Sequence, residues 1–218
     1  MSKLFKIDLP VKTPKWLKRL YPGYVWDQKD HSGTKKLYLT FDDGPIPEVT
    51  PWVLETLKRF NARATFFCIG ENIARHPEIF KQLLISGNSI GNHTYNHLKG
   101  WNTSQDVYLK NTLKTETLLR EAGVTGKLFR PPYGKIKRGQ AKALKKMGYQ
   151  IIMYDAIAYD WDSTISPEQC ALNIINNAEP GSILVFHDSL KAERNMKIAL
   201  TRVLEHFSSL GYEFAPLR

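Results

Sequence analysis

Short apolar runs alternate with longer helix-patterned stretches from residue 35 to the C-terminus, and this alternation limits the chain to few folds. The runs read "KKLYLTF", "ATFFCI", "NSIGN", "KLFR", "QIIMYDA", "SILVF" and "YEFAP". Between them, helices are expected over 48–60, 72–86, 104–122, 139–147, 167–177 and 193–210. Pro51 suits a first helical turn, Gly87, Gly123, Gly148 and Gly211 suit C-terminal stops, and Ser166-Pro167 suits an N-cap followed by the first helical position. About seven βα units in this order imply parallel strands joined by right-handed crossovers. No Gly-rich phosphate loop follows the first strand, so a closed or nearly closed, TIM-barrel-like α/β barrel is preferred to an open doubly wound sheet. At 218 residues and 42% hydrophobic content the chain can bury one large core. Residues 35–218 are expected to form that domain, with 1–34 as an N-terminal extension packed on the barrel.

The formal charge of +10 and pI near 9.5 predict attraction to something anionic. Nucleic acid is not expected as a partner, because no recognition helix, RNP-like run or zinc-finger spacing occurs. In "KIKRGQAKALKKMG", 135–148, the cations fall on several faces, as on a solvated helix. Cys68 and Cys170 form no C-x-x-C pair, so neither a disulfide framework nor a thiolate site is indicated. The N-terminus lacks the apolar h-region of a signal peptide, and no run approaches the roughly 18 residues of a membrane span. The default expectation is a soluble cytoplasmic protein. "WLKRLYPGYVW", 16–26, is read as packing across the bottom of the barrel, with a weak membrane-surface contact as the other reading. Nothing in the sequence fixes the oligomeric state.

In a barrel of parallel strands, the loops after the strand C-termini share one face. Here those loops carry Asp42-Asp43, His93 and His97, Arg130 and Tyr133, Asp160-Trp161, and His187-Asp188. Ionisable groups from five loops on one rim suggest a metal hydrolase. His-x-x-x-His places two imidazoles on one side of a helical turn, and a third ligand would complete a facial set. One aspartate can bind the cation while the other stays free as a base. His187 can protonate a leaving group, held by Asp160 through a charge-assisted hydrogen bond.

"TFDDGP", "HTYNH", "RPPYG", "DW" and "VFHD", in this order over about 37–190, resemble the five motifs of the NodB-homology polysaccharide deacetylases, carbohydrate esterase family 4. The resemblance implies a distorted (β/α) barrel and metal-dependent removal of an acetyl group from a sugar. It implies Asp42 as general base and Asp43, His93 and His97 as ligands of a divalent metal, commonly zinc, with cobalt or nickel as alternatives. Arg130 would orient Asp42, the Tyr133 backbone N–H would hold the oxyanion, Asp160 would position the acid His187, and Trp161 would wall the acetyl groove. Two positions depart from the family pattern. Val185 replaces the usual Leu and should reshape the acetyl pocket without removing catalysis, and apolar Ala156–Ala158 stand where polar residues are frequent.

The expected activity is hydrolysis of N-linked acetyl groups on amino sugars of a polysaccharide or oligosaccharide, peptidoglycan- or chitin-like. The alternatives are a xylan-type O-acetyl esterase, a deacylase of a lipid-linked sugar, or a non-catalytic carbohydrate-binding protein. His31, His76 and His206 are read as surface residues, Pro131-Pro132 as a stiff mount for Tyr133, and Trp101 as a sugar platform or a cap over the barrel mouth.

Overall fold

The computed structural model describes residues 10–28 and 33–218. After the short α1 (Lys15–Leu20), the chain alternates strands and helices: β1 (Lys36–Asp42), α2 (Thr50–Arg59), β2 (Thr65–Cys68), α3 (Gly70–Arg75), α4 (Pro77–Ile85), β3 (Ser89–Asn92), α5 (Gln105–Glu121), β4 (Leu128–Phe129) and α6 (Arg138–Lys146). Two short strands follow, β5 (Gln150–Ile151) and β6 (Ala156–Ile157), then α7 (Pro167–Ile175), β7 (Ile183–His187), α8 (Glu193–Ser209) and β8 (Glu213–Phe214). Among the described residues the strands are all parallel, in the order β5-β4-β3-β2-β1-β7-β6, with β8 on β1. The sheet curls into a distorted half-barrel with helices outside, as the alternation requires.

The two-residue period of the strands sorts side chains between two compartments. Leu37, Leu39 and Phe41 of β1 pack outward with Val53, Leu57, Leu200 and Val203 of the helices. On the opposite face, Phe67, Ile157, Ile183 and Val185 fill the lumen beside Tyr38. Asp42 shares the lumen parity of Tyr38 and Thr40, and β1–β7 pairing sets it opposite His187. The expected punctuation is present: Pro51 lies in the first turn of α2, Ser166 Oγ accepts from Gln169 N, and the four C-terminal glycines have positive φ.

Two segments differ from expectation. The helix expected over 72–86 is two helices, α3 and α4. They are broken at His76 (φ −129°, ψ 57°), because Pro77 disfavours helical geometry in the residue before it. "QIIMYDA" is likewise divided into β5 and β6, since the run leaves β4, where Ile152 N donates to Phe129 O (2.8 Å), and joins β7, where Asp155 N donates to Ile183 O (2.9 Å), with residues 11–27 bonded in between. Val25 N donates to Ile151 O (2.9 Å), Met153 N to Val25 O (2.7 Å), Thr13 N to Asp155 O (2.8 Å) and Ile157 N to Val11 O (3.0 Å). The N-terminal segment thus fills the seam between the sheet's two edges. Asp155, 1% exposed, anchors it by ion pairs with Lys12 (2.7 Å) and Lys18 (2.6 Å). Among the described residues no helix is long and apolar enough to cross a membrane.

Candidate active site

Asp42 ends β1 inside the lumen, 5% exposed. Burial pushes its carboxyl up, but Arg130, whose Nη1 donates to Oδ1 at 2.8 Å, holds it below the usual carboxylate value. Arg130 is itself fixed. Nη1 also donates to Thr40 Oγ (2.7 Å), Nη2 donates to Met153 O (2.9 Å), and the guanidinium lies 4.2 Å from the centre of the Phe67 ring. One carboxylate oxygen of Asp42 is thereby clamped and the group stays ionised.

The chain then turns sharply. Asp43 adopts φ 85°, and the Gly44-Pro45 peptide is cis. Gly44 N donates to Asp188 Oδ1 (2.9 Å) and Thr50 Oγ to Asp188 Oδ2 (2.6 Å). A Cβ at position 44 would meet Asp188 Oδ2 at 2.0 Å, so only glycine fits. Burial pushes the Asp188 carboxyl up to about 8. Asn72 Nδ2 donates to Asp43 O (2.7 Å) from the opposite side of the turn.

This turn carries the Asp43 carboxylate towards two histidines. Asp43 Oδ1 lies 3.8 Å from His93 Nε2 and 3.4 Å from His97 Nε2, and the three offer ligand atoms within 4.8 Å of one another. His93 Nδ1 lies 2.8 Å from Arg130 O, and a carbonyl only accepts. Nδ1 therefore bears the proton and Nε2 presents its lone pair. Burial pulls His93 down to about 4 and lowers His97 too, so both are neutral in neutral solution. Asp43 Oδ1 is buried with no hydrogen-bond partner, a costly state for a carboxylate oxygen. A divalent cation fits these donors: bonds of about 2.1 Å at a tetrahedral angle separate ligand atoms by about 3.4 Å. The expected helical turn from His93 to His97 is absent. Thr94 (φ 65°) and His97 (φ 58°) are left-handed, and this irregular loop brings His97 back over the end of β3.

Across the lumen, His187 ends β7. Its Nδ1 and Oδ1 of Asp160 are 2.8 Å apart, and its backbone N donates to Asp160 Oδ2 (2.8 Å). Burial disfavours the imidazolium, but Asp160 outweighs it and His187 is pushed up to about 9. Trp161 meets the imidazole edge-on at 4.7 Å and packs against Tyr159 at 4.9 Å. Tyr133, in the left-handed region (φ 60°) after Pro131-Pro132, places its ring 4.5 Å from that of His97.

A cavity of about 580 Å³ joins these groups. Asp42, Asp43, His93, His97, Arg130, Tyr133, Trp161, Val185 and His187 line it, and Asp160 lies behind His187. Ile157 also lines it, whereas Ala156 and Ala158 are buried on the helix side. Trp101 is outside the lining, 57% exposed, with Nε1 donating to Ile136 O (3.3 Å). His76 and His206 are half-buried away from the cavity, and His31 lies outside the described residues. Sequence reasoning missed Asp188 as the anchor of the 42–45 turn, although it adjoins His187 and the strand period turns it outward. Met153, Tyr154 and Tyr159 were also missed as lining residues.

Residues 29–152 match the family model described as polysaccharide deacetylase. The chain is similar to two peptidoglycan-N-acetylglucosamine deacetylases of Bacillus cereus. One is 36% identical over 82% of this chain and 66% of the relative, and the other 35% identical over 90% and 93%. The chain thus spans just under two thirds of the first relative and nearly all of the second. It is also similar to a crystal structure of a peptidoglycan N-acetylglucosamine deacetylase in complex with 4-naphthalen-1-yl-N-oxidanyl-benzamide. The TM-score is 0.84, with 33% identity over 94% of this chain and 95% of that one.

Proposed function

Because this chain belongs to the polysaccharide deacetylase family, we propose that it hydrolyses the N-acetyl group of N-acetylglucosamine residues in a peptidoglycan- or chitin-like glycan, releasing acetate and a free amine. The observation that carries this reading is the opposed pairing of two groups lining one cavity: Asp42 bound by the Arg130 guanidinium at 2.8 Å, which favours its ionised form, and His187 bound by the Asp160 carboxylate at 2.8 Å, which favours its protonated form. We assign the catalytic unit to residues 35–218, with 1–34 as its N-terminal extension.

Asp43, His93 and His97 would hold a divalent cation, zinc in the first instance, with cobalt or nickel as alternatives. Such a cation supplies Lewis-acid polarisation of the acetyl carbonyl and acidifies water. Asp42 takes the proton of the attacking water on the carboxylate oxygen that Arg130 leaves free. The backbone N–H of Tyr133 donates to the oxygen as it gains negative charge. His187, its Nδ1–H tied to Asp160, gives the Nε2 proton to the sugar nitrogen as the C–N bond breaks. Trp161 and Val185 form an apolar wall for the methyl group.

Acetate release from an N-acetylglucosamine oligomer, a peptidoglycan fragment and acetylated xylan tests the assignment, with zinc or cobalt supplied. Turnover is expected on an amino-sugar substrate and should fall by about 10²–10⁴ in Asp42→Asn, with metal content unchanged. Loss of metal in that variant would reverse the two aspartates' roles. Release from xylan alone would make the enzyme an O-acetyl esterase.

A further inference from the structure

A second groove, of about 590 Å³, lies between the N-terminal segment and α6 and shares no lining residue with the active-site cavity. Leu20, Tyr21 and Tyr24 form its apolar side, and Arg138, Lys142, Lys145 and Lys146 its cationic side. The two tyrosines stack on each other, with ring centres 5.3 Å apart. No Asp or Glu occurs anywhere from 133 to 149. Asp27, the one acid among residues 10–28, is paired with Lys18 at 2.7 Å.

Packing explains only half of the N-terminal segment. Leu17, Tyr21 and Tyr24 pack on the cluster containing Trp26, Leu144 and Tyr149. Trp16 and Leu20, four residues apart on one side of α1, are each 63% exposed, and cationic Lys15 and Arg19 flank them in the exposed surface.

We propose that this α1–α6 face is a docking surface for an anionic lipid bilayer. The acid-free cationic rim complements anionic headgroups, each cation adding about 1 kcal/mol, or about fivefold in affinity. A soluble polyanion would satisfy the lysines but leave Trp16 and Leu20 in water. A bilayer interface accepts both, since tryptophan and leucine enter the headgroup–acyl boundary while lysine stems lie along it.

Co-sedimentation of the full chain with vesicles of phosphatidylcholine, with and without phosphatidylglycerol, tests the proposal and needs no catalytic turnover. Binding is expected only with phosphatidylglycerol present. It should weaken about a hundredfold in the triple variant Lys142→Gln, Lys145→Gln, Lys146→Gln, and at least tenfold in Trp16→Ser, Leu20→Ser. Removing Lys58 and Lys81, exposed on other helices, should change it little. No sedimentation with either vesicle, or a triple variant that binds like the parent, overturns the proposal. It is also overturned if the Trp16/Leu20 variant keeps full binding and soluble polyphosphate displaces the protein, which would assign the face to a soluble polyanion.

Discussion

Asp42 and Asp43 are neighbours in sequence with opposite surroundings. Strand parity sends Asp42 into the lumen beneath a guanidinium, while the left-handed turn at Asp43 sends its carboxylate to two imidazoles. On the other wall, Asp160 holds His187 protonated against the cost of burial. The general acid role proposed for His187 requires its proton, so activity should be kept through neutral pH and lost as pH rises through the value at which His187 releases it. Asp160→Asn removes the ion pair and leaves burial to dominate, so the alkaline limb of kcat/KM should move down by a unit or more. A pH–rate profile of the variant checks this, and an unmoved alkaline limb would show that the acid is another group. The gathering of these residues on one rim is legible in the sequence because each sits within a few positions of a strand end, where barrel topology assigns the face. Asp188 was less so, because its partners Gly44 and Thr50 are about 140 residues away. The backbone oxygen of Met153 that holds Arg130 carries no side-chain signal at all.

At the scale of elements, the long strands and helices are legible from period and punctuation, whereas the sequence of β5 and β6 has the pattern of one strand. Their apolar composition suits a continuous strand, but between them the run passes from β4 to β7, and Met153 N donates to Val25 O while Asp155 O accepts from Thr13 N, a pairing that only the tertiary fold creates. Asp155 is the polar lock of that seam, accepting from Lys12, Lys18 and Ser182. Burial pushes its carboxyl up, but these donors prevail and hold it below its ordinary value of 3.8. The stabilisation is therefore present above the unfolded-state value and lost as pH falls through the lower folded-state value. Asp155→Asn should cost about 2 kcal/mol, less than a fully buried pair because both lysines keep partial solvent contact. Denaturant titrations of the parent and variant should differ by that amount at neutral pH and converge in acid. A difference independent of pH would assign the loss to packing.

For the molecule as a whole, the curled sheet is held at one place and offers a site for a second tie. The N-terminal segment joins its outer edges, and the metal-type donors sit near its middle, Asp43 from the turn after β1 and His93 and His97 from the loop after β3. Since β2 lies between those strands, a cation on these three groups would tie loops separated by a whole strand. The tie exists only in the folded chain, because unfolding disperses ligands about 50 positions apart. Binding free energy then adds to folding free energy, about 2.7 kcal/mol when free metal is a hundredfold above Kd. For a domain of this size each kcal/mol shifts Tm by about 2–4 °C, so saturation should raise Tm by about 5–10 °C. Scanning calorimetry before and after chelation measures the shift, and His97→Ala, short of one ligand, should lose most of it. Equal melting of the loaded and chelated protein would mean that these three groups do not bind the cation tightly enough to brace the barrel.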